Sequence, residues 1–416
     1  PFMTLKDPVT NFPHFYRYQE DRKDGLGNDL SGWEAYNDPT NLLNPLEGYA
    51  LNLGTAGGPV TISISGLVND GPQSRTLTNH NGTYTGGFHL VGNPYPSPID
   101  WNSAAWTKDN IDDAIYFFTA STTDPYTGTY QSYVENGVST DGKTTGIIPS
   151  MQGFFVHVSE GATQGTLGVS NEVRTHDLTQ EFHKSSQQKN IPLIRITAGF
   201  EGQSSDPTVL YLDPKASEGF DSRLDAYKLM NTNPDVPSFY SLSPKGEELS
   251  INAIGALPSQ EVIRIPLGYQ ALKPGKLTLR LQDLELPSDI YVYLVDLEKN
   301  AYSDLLKERS YSTPVIKGSI NGRFQIVFSS KAISDPEKIL NTPMSVYGNK
   351  EKITVLLNHV PETGSEITIS SLSGQVLKTI RTISAKVEIE GVKSAGVYII
   401  SLRSGETRAF KKILIK

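Results

Sequence analysis

The chain has 416 residues, a formal net charge of −8, 37% hydrophobic and 20% charged residues, and no cysteine. That length suits about three domains of ordinary size, each able to bury a core without staples. The acidic balance argues against nonspecific nucleic-acid binding, and the absence of cysteine excludes disulfides, thiolate metal sites and cysteine nucleophiles.

The chain begins PFMTLKDP, with neither a basic start nor an apolar stretch. Residue 1 is therefore expected to open a mature form or a fragment of something longer. No later run approaches the ~18 apolar residues of a membrane helix. DRKDGLGND (21–29) then offers Asp21, Asp24, Asn28 and Asp29 around two glycines. Such a loop is a calcium candidate, since calcium takes about six to eight oxygens. Its spacing does not match an EF-hand, and an acidic surface turn is the simpler reading.

Strand-like runs follow, rich in β-branched and aromatic residues and bounded by Gly, Pro, Asn, Asp or Ser. They are VTISISGL (60–67), AIYFFTA (114–120), GFFVHVS (153–159), LIRITAGF (193–200), TVLYLD (208–213), KLTLRL (276–281), DIYVYLVD (289–296) and GRFQIVFSS (322–330). Between the first two lies GFHLVGNPYPSPIDW (87–101), where Pro94, Pro96 and Pro98 force extended or turn geometry. Tyr95, Trp101 and Trp106 could form an aromatic platform for a sugar. The alternative, which the residues favour, is that a rigid loop packs these rings over the end of a sandwich. Helical periodicity is scarce. Its best stretches, SAAWTKDNIDD (103–113) and AYSDLLKER (301–309), amount to single turns.

Two polar stretches mark joints, Ser170–Asn190 and Lys331–Pro343. Beyond the second, seven short strands are expected: MSVYG, KITVLL, EITISSL, QVLKTI, KVEIEG, GVYIISL and AFKKILI. The resulting expectation is an all-β chain of three tandem antiparallel β-sandwiches, Ig-like or jelly-roll-like, at 1–175, 176–335 and 340–416. Under about a tenth of residues should be α-helical. Core positions should include Ile62, Ile64, Phe154, Val156, Ile194, Ile196, Leu279, Tyr293, Val327, Ile369, Ile399 and Leu414.

Catalytic signals are absent from the sequence. The seven histidines are scattered, and HExxH, GxSxG and GxxxxGK[ST] do not occur. No local stretch suggests the paired carboxylates of glycoside hydrolysis. FDSRLDAYK (220–228) groups Asp221, Arg223, Asp225 and Lys228, which read as an ion-paired turn. A non-enzyme with no resident cofactor is expected, calcium being the one candidate.

The chain ends on a hairpin, SAGVYIISLRSGETRAFKKILIK, although chain ends usually fray unless tied into a sheet. SSLSGQVLKT and this hairpin resemble the C-terminal sorting domain of cargo of the type IX secretion system of Bacteroidota. The residues that carry the resemblance are Leu372-Ser373-Gly374, Gly396-Val397-Tyr398, Gly405 and Lys411-Lys412 before Ile413. Many members carry Asn-Pro shortly after their first strand, where this chain has Val346-Tyr347-Gly348-Asn349. The resemblance implies export to the cell surface, the outer membrane or the medium of a Gram-negative bacterium. It implies as partners the type IX translocon with its outer-membrane β-barrel shuttle, and a sorting peptidase that cleaves between Phe328 and Ser345. A surface glycan or lipopolysaccharide would then anchor the new carboxyl end, and no nucleic acid is involved. Lysines on a last strand also guard an edge against self-association.

Residues 87–101 with Met151-Gln152-Gly153-Phe154-Phe155-Val156 are similar to a region of large surface proteins of the same bacteria. Asp225-Ala226-Tyr227-Lys228-Leu229, Ser250-Ile251-Asn252 and Val292-Tyr293-Leu294-Val295-Asp296 resemble the module that usually follows. These resemblances imply a non-enzymatic, adhesin-like protein with stalk-like modules. Two alternatives remain: a carbohydrate-binding module or the C-terminal part of a surface glycoside hydrolase, and an assembly partner of the outer-membrane machinery.

Overall fold

A computed structural model describes residues 12–52, 66–176, 191–217, 219–255, 262–333, 343–348, 352–357, 363–384, 386–390, 394, 396–405 and 407–415. The chain divides into two compact units. One is Pro1–Lys189 with Asp221–Asn233, the other Asn190–Phe220 with Pro234–Lys416. Among the described residues the fold is all-β, with a single 3-10 turn at Asn171–Val173 and no α-helix. The two short helical stretches are corrected to strands and turns. Thr107–Asp109 is a strand, and so is Ala301–Asp304. One helix-like turn follows the latter, where Glu308 N donates to Asp304 O at 2.7 Å.

In the first unit a four-stranded antiparallel sheet runs in the order Phe88–Gly92, Gly153–His157, Ala114–Ala120, Gly128–Val134. A three-stranded sheet, Gln73–Thr78, Gln164–Val169, Thr107–Asp109, forms another layer. Val91, Trp101, Ile115, Phe154, Val156 and Leu167 fill one common core. Phe154 and Val156 point inward together because side chains alternate along a strand. Gly165 must be glycine, since a Cβ there would come within 2.7 Å of Asn110 O. A second small sheet joins Trp33–Ala35, Phe15–Tyr18 and Tyr49–Leu51, with Phe15 stacked on Tyr49.

The second unit is built on a long sheet. Its order is Ser310–Val315, Gly275–Glu285, Leu193–Phe200, Ser205–Leu212, Glu248–Ile254, Ser238–Leu242, Ile263–Ala271, Gly318–Ser329. Ser205–Leu212 and Glu248–Ile254 run parallel, which corrects the expectation of purely antiparallel sheets. Ile194, Ile196, Phe239, Leu267, Leu279, Leu294, Phe324 and Ile326 close over one core. Arg323 is buried beside it. Its Nε and Nη2 lie 3.0 and 2.8 Å from the two oxygens of Asp296, and Nη2 also donates to Thr313 Oγ1 at 2.9 Å. Tyr311 donates its hydroxyl to Asp296 at 3.0 Å, and burial followed by that carboxylate pushes the phenol up to about 12.

The seven expected C-terminal strands all form, from Met344–Gly348 to Thr407–Ile415. Met344–Gly348, Lys352–Leu357 and Lys386–Glu390 pair side by side. Val376–Thr382, Ser365–Ser371, Gly396–Ser404 and Thr407–Ile415 make a four-stranded sheet in that order. Ile353, Val355, Ile367, Ile369, Ile400, Leu402 and Ile415 are buried together.

Of the expected core, Phe154, Val156, Ile194, Ile196, Leu279, Tyr293, Val327 and Ile369 are buried. Ile62, Ile64 and the Leu414 side chain lie outside the described residues. Ile399 is corrected: it is half-buried, and Tyr398, Ile400 and Leu402 on the opposite face fill the core. One residue of phase separates the two faces of a strand, and GVYIISL is apolar on both.

Asp296→Ala should cost at most about 3–5 kcal/mol, because it removes the two-oxygen partner of the buried Arg323 guanidinium and leaves Glu298, 2.7 Å from Nη1, as its remaining carboxylate. Replacing both partners with apolar residues of similar volume should cost much less. Urea unfolding of the two variants measures the difference.

Candidate functional site

The residues of the terminal hairpin are spread along one sheet. Gly396–Ser404 is an interior strand between Ser365–Ser371 and Thr407–Ile415. Tyr398 pairs with Ser371 on one side and Ile413 on the other, and its hydroxyl donates to Ser394 O at 2.8 Å. Gly374 closes the Ser371–Gln375 turn near that end, with φ 87°. Gly405 turns the hairpin at the opposite end with φ 60°, beyond the Ser404–Thr407 pair. Glycine reaches such angles without strain. Gly396 pairs with Ile415, and Val397 with Leu414. Gly396 has φ 159°, and the nearest atoms to a Cβ there would be those of the Tyr398 side chain, at 3.7 Å and beyond. Lys411 and Lys412 are exposed on the last strand, opposite Ile400 and Ile399. They line a groove with Lys245, Asn321, Gln325 and Val346. The hairpin is thus an ordered framework with a basic edge, and it gathers no reactive group.

Tyr95, Trp101 and Trp106 are core residues, only 2%, 0% and 8% exposed. Their polar atoms are spent inside the protein. Tyr95 donates to Gly71 O at 2.6 Å, Trp101 Nε1 to Asp113 O at 2.8 Å and Trp106 Nε1 to Asp100 O at 2.7 Å. The two indoles pack against each other, centroids 4.8 Å apart. Asn93 fixes the loop by donating to Ser97 O and Pro149 O, both at 2.9 Å, and by accepting from Tyr95 N. No face of these rings is open to a sugar, so the platform reading is corrected to packing.

The acidic loop is closed by its own hydrogen bonds. Asp24 accepts from the backbone of Leu26 and Asn28 and from the Asn28 side chain, each at 2.8 Å. These bonds, that from the Asn28 side chain first, hold its carboxyl below the usual range. Asp29 turns instead to Thr83, 2.9 Å from its amide, and to Lys23. Asp21 is exposed and joins neither. Among the described residues no three His, Cys, Asp or Glu side chains converge as a metal site.

A serine, a histidine and an aspartate do meet in the first unit, but in the wrong order for a nucleophile. Ser159 Oγ donates to Asp112 Oδ1 at 2.6 Å, and His157 Nδ1 lies 2.6 Å from the other oxygen. His157 Nε2 faces Gly86 O at 2.9 Å. The imidazole does not reach the serine, so nothing takes its proton.

Sequence reasoning missed a polar cleft of the same unit, lined by Lys108, Asp113, Glu135, Asn136, Ser222 and Arg223 among others. Lys108 Nζ is 3.1 Å from Asp113 Oδ1 and 3.1 Å from Glu135 Oε2. It also sits 4.1 Å from the centre of the Trp101 ring. Burial pushes the Asp113 carboxyl up, Lys108 opposes this, and the adjoining Glu135 carboxyl adds to it. KDNIDD is the only local signal, and nothing in the sequence brings Glu135 to it.

These features define a β-sandwich protein whose conspicuous residues are framework residues. Residues 4–328 match the family described as "Domain of unknown function (DUF8693)", and the chain belongs to that family. It is also 23% identical over 400 residues to "Minor fimbrium subunit Mfa5" of Porphyromonas gingivalis. The match covers 91% of this chain and 31% of the relative, so the chain spans about a third of that protein's length.

Trp101→Ala should lower stability by about 3–5 kcal/mol, as truncation of large buried aromatics does. Urea unfolding reads the loss, and glycan binding with unchanged stability would contradict a core role.

Proposed function

We propose that this chain is part of a non-enzymatic, adhesin-like surface protein of a Bacteroidota cell, exported through the type IX secretion system. The observation that carries the reading is the match to a fimbrium subunit across 91% of the chain. The buried Tyr95, Trp101 and Trp106, and a Ser159 bonded to carboxylate instead of imidazole, favour a structural role over hydrolysis or sugar stacking.

In this reading 1–175 and 176–335 are stalk modules and 340–416 is the sorting domain, read after it has folded. A receptor for a folded address needs an ordered terminus. The hairpin meets that need through nine consecutive residue pairs from Gly396–Ile415 to Ser404–Thr407. The translocon and its β-barrel shuttle would bind this domain. A sorting peptidase would cut between Phe328 and Ser345 and pass the new carboxyl end to a lipopolysaccharide. Cleavage needs an extended backbone free of ladder bonds, and Pro336 and Pro343 cannot donate them. Residues 334–342 of that stretch lie outside the described residues.

Deleting residues 394–416 should leave the cores around Phe154 and Phe324 intact, because among the described residues neither includes a side chain from the removed strands. The truncated protein should accumulate in the periplasm; its arrival at the cell surface would place the address elsewhere. Terminal mass spectrometry of the surface form should find a carboxyl end between Phe328 and Ser345. A terminus at Lys416 in actively secreting cells would rule out processing.

A further inference from the structure

Lys108, Asp113 and Glu135 are arranged for more than an ion pair. The side chains of Lys108 and Asp113 are only 12% and 13% exposed, and the ammonium position is fixed over the Trp101 ring. Lys108 belongs to the strand Thr107–Asp109, paired with Gln164–Val169 through Leu167. The Asp113 backbone is pinned on both sides. Its N–H donates to Ser222 O at 2.8 Å, and its carbonyl accepts from Trp101 Nε1. Glu135 follows directly on the strand Gly128–Val134. Amine and first carboxyl are therefore fixed by the strand Thr107–Asp109 and by the pinned backbone at Asp113, while the Glu135 carboxyl, 43% exposed, meets the amine from the solvent side at 3.1 Å. Such fixation converts an unfavourable encounter into a reaction of high effective concentration.

We propose that Lys108 Nζ and Asp113 Cγ become joined in an intramolecular isopeptide bond, with Glu135 relaying the proton. The reactive pair is a neutral amine and a neutral carboxylic acid, one proton transfer away from the ion pair. The Asp113 carboxyl is pushed up by burial and by the adjoining Glu135. The Trp101 ring favours the ammonium form and so opposes the transfer while it holds Nζ in place. The Nζ lone pair attacks Cγ, the C–N bond forms and the carbonyl π pair moves to oxygen. The Glu135 carboxylate takes one proton from nitrogen and hands it to the hydroxyl oxygen of Asp113. The C–O bond breaks with its electron pair, water leaves, the carbonyl re-forms and Glu135 is again a carboxylate. No group changes oxidation state and no co-reactant is needed.

The product would tie the layer that contains Thr107–Asp109 to the layer that contains Ala114–Ala120. It would do so in a chain that has no cysteine with which to make a disulfide.

Intact-mass measurement of the folded chain tests this directly. The wild type should be lighter than its sequence mass by one water, and a digest should contain a branched peptide joining Lys108 to Asp113. Lys108→Ala and Glu135→Gln should each restore the full mass, with near-ultraviolet circular dichroism reporting that they fold. A wild type at full sequence mass would overturn the proposal and leave an ion pair only. A water loss that survives Lys108→Ala would also overturn it, since it would report a succinimide at an aspartate.

Discussion

The second unit depends on one strand that is buried on both faces. Gly318–Ser329 pairs with Ile263–Ala271 and with Tyr291–Asp296, and reaches Gly348 through Asn321. Phe324, Ile326 and Phe328 enter the main core from one face. Arg323 and Val327 are buried on the other, Val327 beside Tyr293 and Val295. A strand covered on both sides cannot send a charge to water, so Arg323 is met by two carboxylates, Asp296 and Glu298, and Asp296 in turn fixes Tyr311. Three stretches distant in sequence are thereby locked to one register.

Most of the apolar runs bounded by turn residues are strands, while residues 60–65 of VTISISGL lie outside the described residues. LIRITAGF is a strand from Leu193 to Phe200, and all seven C-terminal strands form. Faces were harder to read. GVYIISL offers apolar residues on both sides, and only the partner sheet decides that Ile400, not Ile399, is inside. The parallel pair of Ser205–Leu212 and Glu248–Ile254 had no signal, because a short strand has the same period whichever way its neighbour runs. SAAWTKDNIDD offered a trace of helical periodicity, yet pairing with Gln164–Val169 draws Thr107–Asp109 into a sheet. Tertiary pairing overrides so weak a local preference.

The candidate site was legible only in part. The pairing of Tyr398 and the turns at Gly374 and Gly405 follow from spacing and from the need for positive φ. The cleft at Lys108 was not legible, because Glu135 is 27 residues away and reaches it through the strand pair Ala114–Ala120 and Gly128–Val134. The aromatic residues were legible as packing residues. Trp101 and Trp106 are buried as the favoured packing reading expected, and Asn93 folds the Pro-rich loop back over the core. The same Trp101 then carries the underside of Lys108, so the packing of the loop and the chemistry of the cleft share one ring.

The functional account rests on the last seven strands acting as an address that is read folded. Among the described residues their core gathers side chains from Met344 to Ile415, and one ladder pair, Asn321 with Gly348, joins the segment to the strand before it. Fusing residues 340–416 to a periplasmic carrier in a type IX-competent cell, and then labelling intact cells with an antibody to the carrier, tests that claim most directly. The account predicts surface label that is lost in a strain without the translocon. A carrier that stays in the periplasm with the fused domain folded would contradict it.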